Sequence, residues 1–411
     1  MTPARSPVRL QHVEAASPVA PRVRGRLRAG ARLDARVSPL ELFFDLVFVL
    51  ALTQCTALMA DVPSVEGVAQ ALLVLSALWW SWVGFAWLTS AVDPEAVVVR
   101  VVVFIAMAAF LVAALCVPGA FGEAAVAFAV SYAVVRAAHI TLFVLGSRDD
   151  PALRRSVLSL SASTVLGTGL LLAAAATDDG TQAALWVVAP LVDCGGPLLF
   201  GAEGWRLVAE HFSERHGLIV LIALGESVVA IGAGVAPGEG GGIAGEVLLA
   251  GAVSVALVVA LWWLYFDVVA LAAAKRLERA EGTERNRIAR DSYSYLHLPM
   301  IAGIVLIALG LKKTLGDVTA PLADVPAAAL LGGTALYLLA HVAFRLRNVR
   351  TLSRQRLVVA VLLLALVPVA QGVSALTAVA AVTALLVALI VYEAARFGPQ
   401  RAALRREALG R

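Results

Sequence analysis

Glu41 and Asp45 stand four residues apart in the run Glu41-Leu-Phe-Phe-Asp45-Leu-Val-Phe-Val-Leu-Ala-Leu52, which is otherwise apolar. On a helix this spacing puts both carboxylates on one face, about 6 Å apart. The run is long enough to cross a bilayer, where an ionised carboxylate costs about 3 kcal/mol or more and so faces a partner or a water-filled cavity. Two further acids share that position. Glu226 lies in Leu224-Gly-Glu226-Ser-Val, and Asp193 lies in Pro190-Leu-Val-Asp193-Cys-Gly-Gly-Pro197. The prolines and glycines around Asp193 predict a broken helix, whose freed carbonyls could meet a cation beside the carboxylate.

Arg136 is the one arginine deep within an apolar run, and a buried guanidinium needs an anion. Asp45, Glu41 and Glu226 are the candidates. Glu41 stands nearer the mouth, where it can reach the headgroups, and Asp45 is the stronger candidate of the two. Five histidines, His139, His211, His216, His297 and His341, lie in or at the edge of apolar runs. A neutral imidazole can relay protons near physiological pH. Tyr293 precedes His297 by one helical turn. Cys55, Cys116 and Cys194 sit singly in apolar runs, and no HExxH or CxxC spacing occurs. The residues therefore predict no metal site, no cofactor and no disulfide framework. With no nucleophile beside a base, they do not point to an enzyme.

These residues need elements that cross a membrane. The 411 residues are 60% hydrophobic and 15% charged, against about half and about a quarter in soluble domains. The excess recurs in blocks of about 20 residues, each a spanning candidate. Twelve spans are expected near 38–60, 68–91, 97–117, 122–146, 156–176, 182–202, 216–235, 246–272, 292–311, 325–344, 357–373 and 375–395. On this count the connections on one side carry the basic residues, among them Arg148, Arg154, Arg206, Arg215 and the clusters Lys275 to Arg290 and Arg345 to Arg356. On the other side only Lys312 and Lys313 break the pattern. The asymmetry predicts both termini in the cytoplasm. By rise per residue, Asp45 then lies roughly 10 Å in from that side, and Glu226 and Asp193 lie near the midplane, about 15 Å in.

The fold class is therefore all-α and polytopic, with an expected six-plus-six parallel internal repeat. The halves share Ala138-His139 with Ala340-His341, Trp79-Trp80 with Trp262-Trp263, and Glu203 to Arg206 with Glu393 to Arg396, in the same order. The domain reading is a disordered basic tail at 1–37, membrane halves at 38–202 and 203–395, and a basic tail at 396–411. The first tail carries eight arginines but no apolar core of a signal peptide. The lipid bilayer is the implied partner. Nucleic acid is not, since no folded basic module accompanies the arginines. Gly167-Thr-Gly169 and Gly232-Ala-Gly234 allow close helix approach without specifying a dimer.

ELFFDLVFVLALTQ at 41–54, WWSWVGFAWLTSAVD at 79–93, ERHGLIVLIALGESVVAIG at 214–232, WWLYFD at 262–267 and YSYLHLPMIAGIVLIALGLKK at 293–313 resemble the bacterial low temperature requirement protein A family. The likeness covers about 38 to 395. It implies a multi-pass protein of the bacterial cytoplasmic membrane and carries no established reaction. It also draws attention to the residues of the shared segments: Glu41, Asp45, Glu214, Arg215, His216, Glu226, Tyr293 and His297.

The functional expectation is a secondary transporter or ion-coupled permease. Asp45 and Glu226 would form one two-helix site for a small molecule or ion, Arg136 would pair with one of them, and His216 with His297 would shape a cytoplasmic access route. An ion or proton channel, or a membrane factor that supports growth in the cold without transport, is the alternative.

Overall fold

The computed structural model describes residues 36–199, 201, 203–235 and 242–408. Most of the expected first tail lies outside the described residues. Among those residues the chain is helical, and the one strand-like pairing is an isolated bridge between Pro321 and Ser374. Helices α1 Pro39–Asp61, α2 Val65–Ala91, α3 Val97–Leu115, α4 Ala125–Gly146, α5 Pro151–Ala174 and α6 Asp179–Leu199 make the first group. Helices α7 Ala209–Gly234, α8 Gly245–Phe266, α9 Val269–Arg279 and α10 Gly282–Ile288 follow. A π-helical segment, Ala289–Tyr295, leads into α11 His297–Gly316, then α12 Asp324–Val349, α13 Arg354–Ala365, α14 Val367–Ala370 and α15 Ala375–Ala408.

The local chemistry explains where α1 starts. Ser38 Oγ accepts the Glu41 N–H, Glu41 Oε2 accepts the Ser38 N–H at 2.8 Å, and Pro39 takes the first helical position. This reciprocal cap satisfies two orphan donors.

Eleven helices among the described residues are long and apolar enough to cross a membrane. The eleventh expected span, 357–373, is two shorter pieces, α13 and α14, separated at Leu366 ahead of Pro368. The two pieces nonetheless run back along the bundle. Ser374 pairs with Pro321, and the Ala375 and Leu376 N–H groups donate to Ala320 and Val318 carbonyls at the start of α12. The chain leaves the other end of α12 at Val349, so residues 354–370 must return across the bundle. The even number of traverses brings both described ends to one face, called here the terminal face. There Val37 N–H donates to Glu214 at the start of α7, and Glu407 pairs with Lys275 and Arg279 of α9.

Three expectations change. The broken span around Asp193 is a continuous helix with Pro190 and Pro197 inside it. Side chains of the π-helical segment meet nearby α6 carbonyls: Tyr295 OH donates to Cys194, and Arg290 Nη1 to Pro197 at 3.0 Å. The tail expected at 396–411 continues α15 through residue 408, docked by Arg401 and Arg405 on Asp267. Finally, α7 begins seven residues before the expected span at 216 and carries Arg215 into the bundle.

Candidate functional site

Helices α1 and α7 run parallel from the terminal face, and their first turns mesh charge on charge. Glu41 and Asp45 on α1 meet His211 and Arg215 on α7, both pairs at helical i,i+4 spacing. His211 Nε2 lies 2.8 Å from Glu41 Oε1, and Arg215 Nη2 donates to Asp45 Oδ1 at 2.5 Å. Arg215 Nη1 lies 3.8 Å from Glu41. Helix α2 supplies the neutral partners: Trp82 Nε1 donates to Asp45 Oδ1 at 2.7 Å, and Thr89 Oγ1 accepts from Arg215 at 3.0 Å. Ser90 Oγ hydrogen-bonds the Ala86 carbonyl and lies 3.1 Å from His211 Nδ1. Glu41 is buried in this ladder and does not reach the headgroups. Arg215, expected in a cytoplasmic connection, is the partner of Asp45.

Arg136 does not pair with Asp45, Glu41 or Glu226. Its anion is Asp193, with Arg136 Nη2 and Asp193 Oδ1 at 2.8 Å. Thr164 donates to the same oxygen at 3.0 Å and accepts from Arg136 at 2.8 Å, while Tyr132 donates to the other at 3.2 Å. The pair ties α4, α5 and α6. Gly167 of α5 lets α6 come this close, since a Cβ there would lie 2.9 Å from Asp193 Cβ and 3.0 Å from the Ala189 carbonyl. The sequence motif therefore marks a clamped ion pair and not a broken cation site.

Glu226 is different. It is 1% exposed, and its Oε2 has no hydrogen-bond partner among the described residues. Thr56 of α1 is its polar neighbour, and Lys312 of α11 acts on it from beyond salt-bridge range. Glu226 is 11 residues past Arg215, so it lies roughly 16 Å further along α7 than the Asp45 pair. Asp45 and Glu226 are thus two separate layers, not one site.

His216 and His297 do come together, with ring centroids 5.2 Å apart. Tyr293 stacks on His297 at 5.3 Å, and Tyr265 OH lies 2.8 Å from His297 Nε2. His297 Nδ1 donates to the Ser292 carbonyl and His216 Nδ1 to Phe212, which fixes each tautomer. His216 Nε2 and Tyr293 OH have no partner among the described residues. The π-helical segment builds this cluster, because its wider turn brings Ser292 and His297 into bonding register. Trp79 and Trp87 of α2 donate to its Ser294, to the carbonyl and the hydroxyl. From outside, an open, solvent-filled cleft reaches Tyr265 and Tyr293 past Glu210, Glu214 and Glu278. The histidines stand behind those tyrosines and do not line the cleft.

Sequence reasoning passed over His211 and Trp82 as partners, and it placed Arg215 outside the bundle. The available signal was the i,i+4 spacing of His211 and Arg215, which mirrors that of Glu41 and Asp45. No group of three or more metal-ligating side chains occurs among the described residues.

A bundle of apolar helices with charge pairs sealed inside it defines a multi-pass membrane protein. The chain belongs to the bacterial low temperature requirement A protein family, whose sequence profile matches residues 36–391. It is 32% identical over 283 residues to uncharacterized protein RA0937 of Rhizobium meliloti (strain 1021), covering 66% of this chain and 67% of that one. No solved structure matches it.

Proposed function

We propose that the protein is a secondary transporter whose coupling ion, a proton or another small cation, is taken by Glu226. One observation carries this reading. Of the fully buried carboxyls among the described residues, Glu41, Asp45, Asp193 and Glu393 each lie within salt-bridge distance of an arginine. Glu226 has none within salt-bridge distance. An ionised carboxylate at that depth needs a cation or water, so its charge is free to follow an ion in a way the paired groups cannot. The paired clusters act as fixed struts. The even number of traverses fits a carrier by analogy of plan alone. The placement of basic residues supports a cytoplasmic terminal face, and the apolar helices suit the bacterial inner membrane. The reading is of a carrier with no resident cofactor, not of an enzyme.

The test is flux in proteoliposomes under an imposed ion gradient, screened over small ions and metabolites. Gradient-driven uptake is expected for the native protein and is expected to be lost in Glu226→Gln. A broad screen with no flux above empty vesicles overturns the proposal. A current across a planar bilayer that no solute gradient drives, and that Glu226→Gln abolishes, replaces it with a proton channel using the same carboxyl.

A further inference from the structure

Between α2, α4, α5, the end of α6 and the π-helical segment lies a partly open cavity, with about 500 Å³ of free space when its solvent-filled mouth is included. It is distinct from the Glu226 layer. Its polar wall holds Arg136 and His139 from α4, Asn286 from α10, and Arg290 and Ser294 from the π-helical segment, with no Asp or Glu among the described lining residues. His139 is 1% exposed, its ring faces the Gly84 backbone, and neither ring nitrogen meets strict hydrogen-bond geometry with any described residue. Arg136 Nε has no hydrogen-bond partner among them. Gly84 seats the imidazole, since a Cβ there would stand 2.8 Å from the ring.

The charge balance favours a negative guest. Asp193 answers Arg136 one for one. Arg290, Asp291, Arg347, Glu284 and Arg276 form a chain of contacts at 2.8, 3.0, 3.5 and 3.6 Å that begins and ends on a guanidinium. Three positive charges in that chain face two negative ones, and its first member lines the cavity. The rest of the lining is largely apolar and aromatic, with Trp80, Trp87 and Trp205, the last two with centroids 5.6 Å apart. Their indole faces suit a flat or hydrocarbon body.

We infer that this cavity binds a small organic anion, its carboxylate or equivalent acceptor group on His139, Arg136 and Arg290 and its apolar body against the tryptophans. That this anion is the transported cargo rests on the transport reading above; the binding itself does not.

The tryptophans allow a direct test. The purified full-length protein in detergent is titrated with benzoate, with neutral benzamide and with cationic benzylamine, following indole emission. Benzoate is expected to change the emission saturably, at least about tenfold more tightly than benzamide, and benzylamine is expected to give no saturable change. His139→Gln and Arg290→Gln are each expected to weaken benzoate about tenfold. Val83→Phe, which fills the cavity without altering a charge, is expected to abolish the response. Each variant is first shown to be monodisperse and to melt cooperatively. Equal responses to the three probes, no saturable response to benzoate, or a benzoate response unchanged in all three folded variants overturns the inference. Glu226→Gln does not touch the cavity and is expected to bind benzoate as the native protein does. Loss of the coupling role with benzoate binding intact removes the transport reading alone, and the reverse result removes this inference alone.

Discussion

Buried carboxyls in this protein fall into two kinds, and substitution should separate them. Asp193 holds a guanidinium that is 2% exposed, so Asp193→Asn leaves a buried charge unanswered. Breaking one side of such a pair costs about 3–5 kcal/mol, and Arg136→Gln is expected to cost as much. The double variant Arg136→Met with Asp193→Leu is expected to recover most of that loss, because both desolvation penalties vanish together. Asp45→Asn is expected to fall with the first group, since Arg215 loses its 2.5 Å partner. Glu226→Gln keeps the shape and breaks no ion pair, so its stability is expected to stay within about 1 kcal/mol of native. Thermal or denaturant unfolding in detergent checks all of these. The acids themselves were legible in the sequence, because a charge in an apolar run announces burial. Their partners were not. Asp45 and Arg215 are 170 residues apart, and Arg136 and Asp193 are 57 apart, so only the packing of helices decides which cation meets which anion.

Helix packing carries its own test in two glycines of α5. Gly167 touches α6, whereas a Cβ at Gly169 would meet nothing within 4 Å. Gly167→Ala is expected to destabilise the protein by about 1–3 kcal/mol through overpacking. Gly169→Ala is expected to be neutral or to stabilise by roughly 0.5–1 kcal/mol, since alanine is the better helix former. Melting temperatures of the two variants give the comparison. Equal losses would mean that α5 and α6 do not meet as described. Both glycines belong to one small-residue motif, and spacing alone does not say which of them faces a neighbour. The same gap between pattern and packing separates Trp79-Trp80 from Trp262-Trp263. The first two are buried, at 0% and 5% exposure, while the other two are each 40% exposed. Element existence was legible from blocks of about 20 apolar residues, the length a bilayer imposes. Element ends were not. The start of α7 and the break between α13 and α14 lie where hydropathy changes little.

For the whole molecule, the even number of traverses sets the orientation. In a background without Cys55, Cys116 and Cys194, Arg148→Cys reports the terminal face and Asp178→Cys the opposite one, both at exposed positions. A membrane-impermeant maleimide added to intact cells is expected to label Asp178→Cys at once and Arg148→Cys only after permeabilisation. The opposite result would invert the molecule and contradict the positive-inside reading.

The central claim is that Glu226 couples an ion to transport while the charge pairs only hold the bundle together. The most direct measurement compares two modes of uptake in proteoliposomes, once a substrate has been found by the flux screen. Native protein is expected to concentrate that substrate against its gradient and also to exchange it in counterflow. Glu226→Gln is expected to retain counterflow and to lose gradient-driven accumulation. Accumulation by Glu226→Gln equal to that of the native protein would contradict the account.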